Sequence, residues 1–170
     1  SSNYLLGLLN DILDMSKIES GKMHLVEEKC NLAKRIGELR ALLDAKIVEK
    51  NIIFEQKTNL LHEWFLCDEL RINQILVNLL SNAIKYSGQN GHVILTVTET
   101  EQTDGSSLLA FSVQDNGIGI PKEKQKLIFQ QFEQADISEQ ARKQGTGLGL
   151  AICNRLVHMM DSEIRLESSP

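Results

Sequence analysis

The chain is first defined by what it lacks. No run reaches the ~18 apolar residues of a membrane-spanning helix, and its start carries no signal-peptide pattern. The expectation is a cytoplasmic domain, compatible with a longer parent anchored in the inner membrane. There is no basic excess: 18 Lys and Arg stand against 23 Asp and Glu, a net charge of −5. Nothing offsets phosphate repulsion along a polynucleotide, which argues against nucleic acid as a partner. Cys30, Cys67 and Cys153 share no C-x-x-C spacing. That argues against a zinc site and for reduced, mostly buried thiols. Internal repeats, low-complexity tracts and strict β-α-β alternation are also missing.

What is present suits one ordinary domain with an appendage. The chain has 170 residues, 42% hydrophobic and 24% charged, enough for a packed core and a soluble surface. Leu5, Leu6, Leu9, Ile12, Leu13 and Ile18 place a wide apolar stripe along a first helix that stops near Ser20-Gly21. Such a stripe needs a partner, so this helix reads as half of a helix–helix contact. A short strand then leads into a helix capped near Asn31, with Leu32, Ile36, Leu39, Leu42 and Leu43 on one face. "NIIFEQKT" and "WFLC" read as strands. Asp68 is an N-cap for a long helix over 69–85, whose core face is Leu70, Ile72, Ile75, Leu76, Leu79, Leu80, Ala83 and Ile84. Two strands follow, joined by a turn at Asp104-Gly105. Helical patterns recur over 122–132, opened by Pro121, and over 146–160, before a last strand, "SEIRLES". The polar stretch 133–144 reads as a mobile surface segment. The fold class predicted is α+β, a mixed and mostly antiparallel sheet covered by helices on one face.

Three stretches carry chemistry. On the long helix Asn78 and Asn82 lie four apart, so their amides share a side, with Lys85 three further on. Asn is a poor helix former, and its amide needs partners amid apolar residues. It either bridges backbone groups or holds a Mg²⁺ ion together with nucleotide phosphates, which Lys85 would balance. In "QDNGIGIP", Asp115 ends a strand expected to be buried, where an unpaired carboxylate is costly. An adenine amino group would satisfy it, and Gly117 and Gly119 would let backbone approach a flat base. "GTGLGL" opens a helical pattern whose N–H groups suit phosphate, or simply turns the chain. No GK[ST] follows these glycines, so this is not a Walker-type loop.

In combination and in this order, the stretches resemble the ATP-binding domain of sensor histidine kinases, of the Bergerat (GHKL) fold, over about residues 25–170. "NQILVNLLSNAIKYS" resembles the family's N box, "DNGIGIP" its G1 box, "IFQQF" its F box and "GTGLGLAI" its G2 box. The resemblance implies a two-layer α/β sandwich preceded by a single helix. It implies ATP and Mg²⁺ as cofactors, with Asn82 as the metal ligand, Asn78 near metal and phosphates, and Lys85 on phosphate. Tyr86 would pack near the adenine and Asp115 would bind its amino group. Gly117, Gly119 and Ile120 would line the base pocket, and Phe129 and Phe132 would anchor a mobile lid. Gly145, Thr146, Gly147, Leu148 and Gly149 would frame the phosphates, with Arg142 or Lys143 reaching the γ-phosphate.

Residues 1–24 resemble the end of the second helix of the dimerisation and histidine-phosphotransfer hairpin. The expected domains are thus 1–24 as hairpin remnant and 25–170 as catalytic domain. The family's phosphoacceptor histidine sits on the first hairpin helix, and none of His24, His62, His92 or His158 lies in such a helix. The implied function is γ-phosphoryl transfer to a histidine outside this chain, in two-component signalling. The implied partners are that hairpin, of its own or a partner chain, and a response-regulator receiver domain. The chain resembles a piece cut at both ends, expected to be monomeric, from a homodimeric parent. The alternative is a related ATP-binding domain without kinase activity, an ATPase or a regulatory module. Related ATPases carry a Glu general base where Asn78 stands, and an amide takes no proton at neutral pH.

Overall fold

The computed structural model describes residues 2–117 and 149–160. The order is α1 (Ser2–Glu19), β1 (Glu28–Asn31), α2 (Leu32–Glu49), β2 (Ile53–Asn59), β3 (Trp64–Cys67), α3 (Glu69–Tyr86), β4 (His92–Glu101), β5 (Ser107–Asp115) and α4 (Gly149–Met159). The helix expected over 122–132, the segment 133–144 and the strand after Asp161 lie outside the described residues. Backbone contacts divide the chain into two units, residues 26–117 forming one and α1 with α4 belonging to the other.

In the first unit β4 is central. It pairs with β2 in parallel, Phe54 opposite Val93, and with β5 antiparallel, Val97 opposite Phe111. β1 and β3 form a separate antiparallel pair. Two of the three pairings are therefore antiparallel, in an α+β unit with a mixed sheet as the sequence predicts. Burial alternates along β4: Val93, Leu95, Val97 and Glu99 are buried while the residues between them are only half-buried. This period of two marks a sheet with one face packed and one facing water. Helices α2 and α3 cover the packed face, joining Ile36, Leu39 and Leu43 of α2 and Leu76, Leu80 and Ile84 of α3 to Val93, Leu95 and Val97 in one core.

The caps are those the sequence indicates. Asn31 Oδ1 accepts the Lys34 N–H at 3.1 Å, and Asp68 Oδ1 accepts the Arg71 N–H at 3.1 Å. Asp68 is buried, and its second oxygen accepts the Val26 N–H at 2.9 Å, so one carboxylate both starts α3 and ties down the chain ahead of β1. Two residues depart from the expected core faces. Leu42 is 63% exposed and Leu70 69% exposed. The buried stripe of α2 runs Leu32, Ile36, Leu39, Leu43, Ile47, and Leu42 sits about 100° round the helix from Leu43. Leu70, in the first turn of α3, is likewise off the stripe through Leu76, Leu80 and Ala83.

In the second unit α1 packs on α4, where Ala151, Ile152, Cys153 and Leu156 are buried. Met15 is buried on α1, while Leu6, Leu9, Ile12 and Leu13 are exposed. An uncovered apolar stripe is thus present on α1, as its sequence pattern requires.

The far end of β4 is held by a polar clamp. The Glu99 carboxylate accepts the N–H groups of Leu61 (2.8 Å) and His62 (3.0 Å) and the Ser107 hydroxyl (2.7 Å), and meets His62 Nδ1 at 2.5 Å. Burial alone would raise its pKa. The hydrogen bonds from Ser107, His62 and the two backbone N–H groups outweigh that and hold it at about 2, below its ordinary 4.5. His62 is pushed above its ordinary 6.5, first by its hydrogen bond to Glu99 and then by that residue's charge. A depressed carboxylate pKa stabilises the fold above the unfolded value and loses that contribution as pH falls. The stabilisation by Glu99 is therefore expected to disappear between about pH 4.5 and about pH 2. The His62 contribution is complete below 6.5 and is lost as pH rises through its elevated folded value. Urea unfolding across this range should show a steeper acid loss for the unmodified chain than for Glu99→Gln. Superimposable pH profiles would show that the clamp contributes nothing.

Candidate nucleotide site

The residues singled out on α3 share one half-buried side. Asn78, Asn82 and Lys85 are each half-buried, and Asn78 and Asn82 are one turn apart, about 6 Å along the axis. The apolar residues of the same helix, Leu80 and Ile84 above all, are fully buried against the sheet. The helix therefore has two working faces, and the polar one runs to its C-terminal end. There the Lys85 ammonium lies over the Tyr86 ring, 5.1 Å from its centroid. Lys85 has its pKa lowered, first by burial and second by the charge of Lys46. A half-buried ammonium one turn from a half-buried amide face suits a polyanion such as a phosphate chain.

The strand β5 brings Asp115 to the same end. Asp115 stands opposite Val93, on the helix-covered face, just where β4 starts after the turn that follows α3. The next residue, Asn116, accepts the Ser87 hydroxyl at 3.2 Å and the His92 N–H at 3.0 Å through one side-chain oxygen. The loop after β5 is thereby fastened to the turn after α3. Lys85, Tyr86, Asp115 and Gly117 meet at this end, with Asn82 and Asn78 one and two turns back along α3.

One local expectation is corrected. Asp115 is exposed, not buried, and its Oδ1 accepts the Gly117 N–H at 2.7 Å. The cost of an unpaired buried carboxylate is therefore no argument for its role; its own loop orients it, as in an Asx turn. Gly117 also has a nearer reason to be glycine than approach to a base. A Cβ there would run into the carbonyl group of Tyr86 and the Asp115 carboxylate. The glycine is needed because the loop backbone lies directly against the end of α3.

Gly149, the last glycine of "GTGLGL", lies within α4. Gly119, Ile120, Phe129, Phe132, Arg142, Lys143, Gly145, Thr146, Gly147 and Leu148 lie outside the described residues. Sequence reasoning missed Ser87, Asn116 and Lys50, which fasten the site without belonging to its chemistry. Asn51, in the left-handed region at φ 51°, is a helix-stop signal that points at Lys50 but not at its partners.

A sequence model of the histidine kinase-, DNA gyrase B-, and HSP90-like ATPases matches residues 67–170, more than half of the chain. The chain belongs to this family. It is 40% identical over 174 residues to the sensor histidine kinase GacS of Pseudomonas protegens, covering 100% of this chain and 18% of GacS. The chain spans only between 8% and 22% of the first such relatives it matches. Among solved structures, full-length ShkA in complex with AMPPNP superimposes with a TM-score of 0.75 at 30% identity, over 92% of this chain and 31% of ShkA. The catalytic domain of the histidine kinase ThkA gives 0.63 at 32% identity, over 80% of this chain and 82% of that domain. ThkA in complex with the response regulator TrrA gives 0.67 at 27%, over 98% of this chain and 46% of ThkA. The domain is thus an ATP-binding catalytic domain of the histidine-kinase type.

The contact at Gly117 yields a direct check. Gly117→Ala should destabilise the chain by roughly 1–3 kcal/mol, the usual cost of forcing a methyl into packed backbone. Asn116→Ala, which removes two hydrogen bonds but adds no atoms, should cost about 1 kcal/mol or slightly more. Urea denaturation of both variants measures this, and an alanine tolerated at 117 would mean that the backbone approach is not close.

Proposed function

We propose that this chain binds ATP with Mg²⁺ and supplies the γ-phosphoryl group for transfer to a histidine on a helical hairpin, as the catalytic domain of a two-component sensor kinase. The convergence of the polar face of α3 with the Asp115–Gly117 loop carries this reading. It offers an amide oxygen, an ammonium, an aromatic ring and a carboxylate at one end of the sheet. Asp115 would accept the adenine amino group, and Tyr86 would pack beside the base. Lys85 would balance phosphate charge, and the Asn82 amide oxygen would serve as the one protein ligand of Mg²⁺. That ion, when bound, neutralises phosphate charge; one neutral amide beside a lysine suits a metal that takes most of its ligands from phosphates and water. Asn78 stands where a water-activating base would be needed. An amide cannot take that proton, which favours transfer to a protein nucleophile over hydrolysis.

GacS is named as a sensor histidine kinase and ThkA is solved with a response regulator. These support a receiver domain as downstream partner and a hairpin, of the same or a partner chain, as phosphoacceptor. Residues 1–24, with their exposed apolar stripe, read as the end of that hairpin, and residues 25–170 as the catalytic domain. ATP as substrate favours a cytoplasmic location; among the described residues no helix is long and apolar enough to cross a membrane.

Calorimetric titration of ATP, with and without Mg²⁺, into the chain and into Asp115→Asn tests the reading. Binding by the unmodified chain is expected. The variant should bind roughly tenfold to a hundredfold more weakly, since a carboxylate that the bound base would cover is exchanged for an amide that mispairs. Incubation with γ-labelled ATP should leave the chain itself unlabelled. No binding by the folded chain, or acid-labile self-labelling, would overturn the proposal.

A further inference from the structure

Lys50 belongs to none of the recognised motifs, yet its side chain is bound to the end of the helix that carries one of them. It caps α2, and its side chain crosses to the last turn of α3. Its ammonium donates to the carbonyl oxygens of Ile84 (2.7 Å), Lys85 (2.8 Å) and Ser87 (2.5 Å). An ammonium has three donors and no acceptor, so all its hydrogen-bonding capacity is used on this one helix end. It is not left over to take a phosphate.

The last carbonyls of a helix have no intrahelical partners and carry partial negative charge. Many helices answer this with a glycine in the left-handed region, which closes the end on itself. α3 does not: its C-cap, Ser87, is extended at φ −74° and ψ 136°. The chain therefore leaves the helix directly, and a side chain from another element supplies both donors and positive charge. The backbone beside Lys50 adds to this. The Asn90 N–H donates to the Lys50 carbonyl (2.8 Å), the Ile53 N–H to the Gly91 carbonyl (2.8 Å), and Asn51 Nδ2 to Asn90 Oδ1 (2.7 Å). The turn over 87–91 is thus built on the turn over 50–53.

What that turn holds is the candidate site. The Tyr86 carbonyl lies against Gly117, Ser87 donates to Asn116, and Asp115 is next along the chain. Loss of the ammonium would free three carbonyls at the point where α3 meets the loop after β5. We propose that Lys50 is a positioning residue of the nucleotide site: by fixing the last turn of α3 it sets the spacing between Lys85–Tyr86 and the Asp115 loop. This rests on the nucleotide reading above, and its predicted effect is on affinity, beyond any effect on stability.

The test is titration of Mg-ATP into the 170-residue chain and into Lys50→Met, Lys50→Arg and Glu99→Gln, with the melting temperature of each. Lys50→Met keeps the stem and removes the charge. If only about a tenth of the molecules then hold the binding geometry, affinity falls about tenfold. Lys50→Arg, which keeps charge and donors, should return to within about threefold. Glu99→Gln, at the opposite end of β4, should bind like the unmodified chain whatever it loses in melting temperature. Equal affinity of Lys50→Met and the unmodified chain overturns the inference, as does an equal loss in Glu99→Gln. Failure of the folded unmodified chain to bind overturns the nucleotide reading itself. Should Lys50→Met not fold, nuclear magnetic resonance of the unmodified chain decides. The Lys50 ammonium should be protected from exchange and shift when Mg-ATP is added, and an exposed signal indifferent to nucleotide refutes the proposal.

Discussion

Helix α3 must be anchored at both ends while leaving one face polar, and the rest of the unit is arranged around that requirement. Its apolar face, with Leu80 and Ile84 fully buried, fixes its rotation on the sheet. Its N-terminus is met by the buried Asp68 carboxylate and its C-terminus by the Lys50 ammonium. Both charges have the sign that the helix dipole favours. A helix held only by its apolar stripe can slide or fray; with both ends tied to other elements, Asn78, Asn82 and Lys85 keep a set height above the sheet. The proposed nucleotide site would need this, because its two halves come from elements far apart in sequence.

The two ends of β4 treat their carboxylates differently. At one end of β4, Glu99 gathers the loop before β3 and the start of β5 into a closed polar cluster. At the other end, the contacts among Ser87, Asn116 and Gly117 leave Asp115 exposed and Lys85 half-buried. The carboxylate at the closed end is fully covered and has several donors, a stabilising arrangement. The one at the open end takes a single hydrogen bond from its own loop and stays accessible. Two acidic residues on the same face of one sheet are therefore left in opposite states, one enclosed and one accessible, decided by how many donors surround each.

Much of this was legible in the sequence, for identifiable reasons. Asn31 and Asp68 announce helix starts because capping is local: donor and acceptor lie three residues apart. The alternation in β4 and the Asp104-Gly105 turn are local too. The misassigned Leu42 and Leu70 show the limit of periodicity, which tells which residues can share a face but not how wide a stripe the neighbouring layer covers. The burial expected of Asp115 failed for a related reason, since a strand's apolar run does not say where its packed length ends. Lys50 was not legible at all. Its partners lie 34 to 37 residues away and are carbonyl oxygens, which every residue possesses. Gly117 was legible as a glycine with a reason, but the reason, a neighbouring carbonyl, exists only in three dimensions.

The family alone does not decide between transfer and hydrolysis, because kinases and ATPases share it and share the fold. In the proposed function the choice rests on one position. A hydrolase needs a group that can remove a proton from water at neutral pH, placed beside the phosphates; here the corresponding side chain, Asn78, is an amide on the polar face of α3. Phosphoryl transfer to an imidazole nitrogen has no comparable need. A neutral imidazole already carries a free lone pair, and what the transfer demands is positioning and charge neutralisation. An ammonium, two amides and a firmly capped helix are suited to those two tasks. In the proposed function an acceptor delivered from outside these residues would complete the chemistry, and the amide at position 78 would leave water beside the nucleotide without a base.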